Sequence, residues 1–141
     1  MTQTVLTAEE IAAYLDEVFP QVRGHFDIME VAPMRARMRL KVTEAMLRPG
    51  GTVSGPSLFE LADCAFYVAV MGMIGREAMT VTSTATMNFL RKPVAKDLVC
   101  EAELLKIGRM LATGQATIWT EGAEDKAVAH ATMTYAIPQP A

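Results

Sequence analysis

The sequence predicts an α+β fold in which one curved antiparallel sheet wraps a single long, apolar central helix. Three observations lead there. The segment from about Gly55 to Ile74, GPSLFELADCAFYVAVMGMI, is apolar nearly all round, as a helix buried on every side must be. The segments that follow it alternate apolar and polar residues with a period of two, the mark of half-buried strands. The only other helical pattern is short, so no second layer is available to cover the long helix and the sheet must do it.

The elements follow in chain order. Thr7 to Phe19 is expected to form a short amphipathic helix. Thr7 supplies an N-cap, Glu9 and Glu10 suit the positive end of the helix dipole, and Ile11, Tyr14, Leu15 and Val18 fall at helical spacing. Pro20 stops it. A strand is expected from about Phe26 to Val31, and a second from Met34 to Val42. There Met34, Ala36, Met38, Leu40 and Val42 point one way and Arg35, Arg37, Arg39 and Lys41 the other, which gives one buried and one wet, basic face. Arg48-Pro49-Gly50-Gly51-Thr52 reads as a loop. Ser54 or Gly55 can cap the long helix, Pro56 suits its first turn, Ser57 to Glu60 has the form of a capping box, and Gly75 stops it.

From Met79 to Leu90 the period is two again. Met79, Val81, Ser83, Ala85, Met87 and Phe89 alternate with Thr80, Thr82, Thr84, Thr86 and Asn88, and the threonines favour strand over helix. Three more strands are expected at about Leu98–Ile107, Met110–Trp119 and Lys126–Ile137, with turns at Gly108-Arg109 and Glu121–Asp125. A single sheet curled around a central helix is the hot-dog architecture, and a helix so apolar predicts burial against a second copy of the chain as well.

Composition narrows the function. The 141 residues fit one domain, 1–141, and the formal net charge of −3 excludes nucleic acid as the main partner. Cys64 and Cys100 show no zinc-ligand spacing, so no metal site is expected. Without the basic start and apolar stretch of an export signal, they read as reduced thiols in the cytoplasm. The apolar run Cys64–Ile74 is too short to cross roughly 30 Å of hydrocarbon, so no membrane partner is expected.

Asp63 requires explanation. Leu61, Ala62, Cys64, Ala65 and Phe66 surround it, and no Lys, Arg or His occurs between Pro56 and Gly75. Burying an unpaired carboxylate costs several kcal/mol or more. Either sheet hydroxyls and amides satisfy it for packing alone, or it lines a dry pocket as a nucleophile or general base. The free N–H groups at the start of the same helix can stabilise a developing oxyanion, with Gly55 permitting close approach. Eight positions separate Gly55 from Asp63, roughly 12 Å along a helix. If both act on one carbonyl, they come from two chains whose central helices lie side by side and antiparallel.

The segment GTVSGPSLFELADCAF, residues 51–66, resembles the Gly-x-x-His-Gly-Gly-x-x-x-x-Leu-x-Asp motif of hot-dog acyl-CoA thioesterases of the phenylacetate-pathway (PaaI-like) and 4-hydroxybenzoyl-CoA type. MNFLRKP, residues 87–93, is similar to that family's Asn-Phe-Leu-Arg-Pro strand end with one residue inserted. KIGR, residues 106–109, and AHATMTY, residues 129–135, resemble its Gly-Arg turn and last strand. The resemblance implies hydrolysis of an acyl-CoA to a carboxylic acid and free CoA. No cofactor is needed, since coenzyme A is part of the substrate. It implies a dimer or a tetramer of two dimers, Asp63 as the catalytic carboxylate, Gly55 as the oxyanion amide and Thr82 as a water-positioning hydroxyl. Arg91, Lys92 and Arg109 fall where the nucleotide rests. Ser54 stands where the family has His and can still donate a hydrogen bond; Pro56 replaces a Gly. These two departures leave open an acyl-CoA-binding protein with little turnover. His25 and His130 do not fit a hydratase pattern, and His130 reads as a satisfied sheet histidine.

Overall fold

The computed structural model describes residues 3–140; Met1, Thr2 and Ala141, the ends of the expected 1–141 domain, lie outside it. Helix α1 spans Ala8–Val18, with Thr7 and Glu10 forming a reciprocal capping box. Strands β1 (Phe26–Ala32) and β2 (Arg35–Leu40) form a hairpin. A short ladder, β3 (Leu47–Arg48) with β4 (Thr52–Val53), leads into helix α2 (Gly55–Ile74). Then come β5 (Val81–Phe89), β6 (Leu98–Ile107), β7 (Leu111–Thr120) and β8 (Ala127–Ala136). The six-stranded sheet has the order β1-β2-β6-β7-β8-β5, and every pairing is antiparallel. With α2 packed on its inner face, this is the hot-dog fold.

α2 begins and ends where local signals put it. Ser54 is the N-cap, and Gly75, at φ 97°, closes the helix in a backbone conformation open to glycine. The helix is long and apolar enough to span a membrane by length and composition, yet 72% of its most apolar window is buried within the protein. Phe66, Leu58, Leu61, Val68, Val70 and Met71 are fully buried, and each stabilises the fold by roughly 1.5–3 kcal/mol.

The inner face of the sheet makes room for these side chains by being small. Ala112, Gly114 and Ala116 on β7 and Ala129 and Ala131 on β8 all point inward and are buried. Gly114 marks the tightest approach. A methyl group there would collide with the Glu103 carbonyl oxygen and lie 2.9 Å from Leu104 Cα and 3.0 Å from the Phe66 ring.

Several local expectations need correction. Val18 is exposed, because α1 buries Ile11 and half-buries Tyr14 and Leu15 but turns its last residue outward. Ser57 and Glu60 form no capping box: Ser57 is instead the N3 residue whose N–H donates to Ser54 Oγ. Glu60 lies 3.4 Å from His25. The cations of β2 do not form a free basic stripe. Arg35 pairs with Glu30, Arg37 with Glu101 and Arg39 with Glu121 and Asp27, while Lys41 pairs with Asp27.

The largest correction concerns β5. A bulge at Ser83 shifts its register against β8 between Thr82 and Thr84, and an extra residue inverts the alternation beyond it. Thr82 pairs with inward-facing Tyr135, while Ala85, Met87 and Phe89 pair with inward-facing Met133, Ala131 and Ala129. Thr82 therefore shares the inner face with residues that strict alternation assigns to the other side. β5 is also the sheet edge, so Val81, Phe89 and Leu90 remain more than half exposed.

The Gly114 contact yields a stability test. Gly114→Ala should lower the unfolding free energy by about 3 kcal/mol, because backbone on β6 must move to admit the methyl group. Urea denaturation measures it, and a loss under about 0.5 kcal/mol would contradict the packing described.

Candidate active site

From Leu61 to Met73 every residue of α2 is buried except Asp63, which is partly exposed. Two hydroxyls converge on one of its oxygens. Thr82 donates to Asp63 Oδ1 at 2.5 Å, and the Tyr135 hydroxyl lies 2.6 Å from the same oxygen. Tyr135 is also 2.6 Å from the Asp63 backbone carbonyl, so its single proton is shared between two acceptors. Among the described residues, no hydrogen bond engages the second carboxylate oxygen and no cation pairs with Asp63. The carboxylate is thus oriented without being neutralised.

Burial, reinforced by the Asp63 charge, pushes the Tyr135 phenol far above its ordinary range. Tyr135 therefore remains a proton donor at any physiological pH. Cys64 adjoins Asp63 but is no competing nucleophile. Burial, with further contributions from Asp63 and Glu60, drives its thiol well above the usual value and keeps it protonated. Cys100, fully enclosed in the core, is held protonated by the same cause.

Asp63 lines a cleft of about 370 Å³ with Phe19, Tyr67, Thr80, Thr82 and Tyr135. Thr80 contributes a buried hydroxyl without a protein partner. The loop that closes this cleft is tied on both sides: the Tyr67 hydroxyl donates to the Ala78 carbonyl at 2.7 Å, and the Ala78 N–H donates to the Tyr14 hydroxyl at 3.2 Å.

Gly55 opens a different cleft of about 310 Å³, lined also by Arg48, Leu58, Phe89, Arg91 and Lys92. As the first residue of α2 it has no intrahelical acceptor for its N–H. The Phe89 ring sits 3.4 Å from the place a Cβ would occupy, so a methyl group there would make ordinary contact with the aromatic wall. Ser54 is occupied with capping: its Oγ accepts from the Ser57 N–H and lies 2.9 Å from Ser57 Oγ. Pro56 removes one N–H from the first turn and leaves those of Gly55 and Ser57.

The structure therefore joins Asp63 to Thr82 and joins Gly55 to Arg91 and Lys92, but keeps these groups in separate clefts with no lining residue in common. Arg109 lies in neither. It stands at the β6–β7 turn, where its carbonyl accepts from Gln139 at 2.9 Å. His130 hydrogen-bonds with Gln115 across the strand at 3.1 Å. Tyr135 and Phe19 are the site residues that sequence reasoning missed. Tyr135 figured in the sequence only as the end of the AHATMTY last-strand segment, because its pairing opposite Thr82 depends on register.

Residues 50–135 match the thioesterase superfamily, and the chain belongs to that family. A solved Silicibacter structure, provisionally described as a thioesterase, is 49% identical with a TM-score of 0.90, covering 98% of this chain and 96% of that one. The PaaI protein from the phenylacetic acid degradation operon of Escherichia coli is 25% identical with a TM-score of 0.80 over 94% of each chain. A Deinococcus radiodurans protein with a provisional esterase name is 37% identical over 87 residues, 61% of this chain. The matched region spans 57% of that relative's length.

Two measurements check this geometry. Tyr135→Phe keeps the ring packed against Phe66 but takes a donor from the carboxylate, and should cost about 2 kcal/mol of stability by urea denaturation. The thiols should be silent to a chromogenic disulfide reagent at pH 8 in the native protein, and both should react on unfolding. Rapid labelling of Cys64 in the folded protein would show that it is not enclosed as described.

Proposed function

We propose that the protein hydrolyses an acyl-CoA thioester to a carboxylic acid and free CoA, in sites built from two chains. The observation that carries this reading is Asp63, a carboxylate held by two hydroxyls rather than a cation, at the wall of a cleft in an otherwise apolar helix. Its second oxygen can take a proton from water. The water oxygen bonds to the thioester carbonyl carbon, and the negative charge that develops on the carbonyl oxygen is received by a Gly55 N–H. Collapse breaks the carbon–sulfur bond, and the proton held by Asp63 passes to the leaving thiolate. Thr82 and Tyr135 hold the base in place throughout.

One chain cannot supply both groups, since Gly55 and Asp63 lie about 12 Å apart along α2 and in separate clefts. A homodimer with antiparallel central helices brings Gly55 of one protomer to Asp63 of its partner. The uncovered edge strand β5, with Val81, Phe89 and Leu90 exposed, supports such an interface. A tetramer of two such dimers extends the same reading. Arg91 and Lys92 beside Gly55 would receive the CoA phosphates, with Arg109 contributing from outside that cleft. The two buried free cysteines fit the reducing cytoplasm.

A second reading has its own support. Ser54 is committed to Ser57 and offers no imidazole-like donor, which favours binding of acyl-CoA with little turnover. Thiol release from a panel of short-chain, long-chain and aryl acyl-CoAs separates the two; tight binding without release across the panel selects the second.

Asp63→Asn should reduce kcat/KM by 10²–10⁴-fold. Gly55→Pro removes the N–H while suiting the first helical position, and should reduce activity comparably. Gly55→Ala keeps the N–H and should lose far less. Neither impaired variant alone should turn over, but mixing them with exchange of protomers should restore about a quarter of wild-type activity, since half the dimers then carry one intact site. No recovery, with mixed dimers demonstrated, would rule out the two-chain site. Full activity of Asp63→Asn would rule out the mechanism.

A further inference from the structure

A third cleft, about 310 Å³, lies against α1 and β1. It shares one lining residue with the Asp63 cleft, and that residue is Phe19. Phe19 leaves the helix where the chain dictates: its N–H still donates to the Leu15 carbonyl at 2.7 Å, while its backbone, at φ −136° and ψ 58°, has left the helical region. Pro20 behind it disfavours a helical conformation at this position. The half-buried side chain lines both spaces.

The cavity beneath α1 has an apolar floor of Leu15, Val22, Phe26, Ile28 and Met38. Its rim carries Glu9, Asp16, Asp27 and Arg23, and two of the three carboxylates are paired, Asp16 with Arg23 at 3.7 Å and Asp27 with Lys41 at 3.2 Å. With most of its charges paired, this rim offers no free cationic seat for nucleotide phosphates, and its floor suits hydrocarbon. The cleft at Gly55, with Arg48, Arg91 and Lys92, has the opposite character. Charge therefore assigns the ends of the substrate: phosphates toward the cationic cleft, acyl tail toward Phe19 and the space behind it.

We propose that Phe19 determines acyl length, acting as the wall between the Asp63 cleft and the cavity beneath α1. This rests on the acyl-CoA reading and adds the substrate class. The native protein takes a compact acyl group, a short alkyl or a single ring, that ends at Phe19; the Asp63 cleft alone is near the small end of ligand pockets. A smaller residue at position 19 joins the two spaces and admits a longer chain.

The test is the ratio of kcat/KM for dodecanoyl-CoA to that for butanoyl-CoA, measured by thiol release. Phe19→Leu and Phe19→Ala should raise it by at least about tenfold, the gain from moving roughly two further methylenes out of water. Phe19→Trp should lower it. A ratio unchanged within about twofold in Leu and Ala variants that still hydrolyse butanoyl-CoA overturns the proposal. Should the wild type release no thiol from any acyl-CoA, it is the thioesterase reading that fails, and Phe19 is then judged by calorimetry with butanoate and dodecanoate. Selectively tighter dodecanoate binding by Phe19→Leu, with an unaltered circular dichroism spectrum, supports the partition; equal affinity to wild type overturns it.

Discussion

Thr82 and Tyr135 meet at one oxygen of Asp63, and the placement of the central helix depends on that meeting. A carboxylate in the middle of an apolar helix has no favourable position unless donors reach it. Both donors come from a single register pair of the sheet, Thr82 opposite Tyr135. Satisfying Asp63 therefore sets the rotation of α2 and its position over β5 and β8 at once. Hydroxyls do this without cancelling the charge, as an arginine would. The same interaction that makes the carboxylate tolerable in an apolar helix leaves its second oxygen unengaged at the cleft.

Close packing makes the meeting possible. The inner faces of β7 and β8 are lined by alanines and a glycine, so α2 sinks far enough for side chains on its flank to reach hydroxyls on the sheet. Elsewhere too the contact is tight: a methyl group at Gly72 would come within 2.9 Å of Val31. At the β5 edge the inner face extends beyond the cover that α2 provides, which leaves Ala85 and Phe89 exposed. A sheet that wraps one helix closely at its centre is left with an uncovered apolar margin at its edge.

Polarity is divided between the clefts. Cations gather beside Gly55 at the start of α2, whereas aromatic and aliphatic side chains gather beside Asp63 and beneath α1. The long acidic-basic ladder on the outer face of β2 plays no part in this. Its cations are paired with acids on β1, β6 and the β7–β8 turn at partly exposed positions, where each pair contributes little.

Much of this molecule was legible before any coordinates. Ser54, Pro56 and Gly75 mark the ends of α2, the period-two segments mark the strands, and a lone carboxylate in an apolar helix marks the candidate site, because capping, proline geometry and burial cost act over a few residues. Less was legible in β5, where a continuous alternation from Met79 to Leu90 conceals the bulge at Ser83 that returns Ala85 and Met87 to the face of Thr82. Tyr135, 72 positions from Asp63, the separation of the Asp63 and Gly55 clefts and the place of Phe19 between two cavities were decided only by tertiary structure. Local sequence sets local backbone, but which side chains meet across the sheet depends on strand register and helix depth, and these follow from the packing energy of the whole chain.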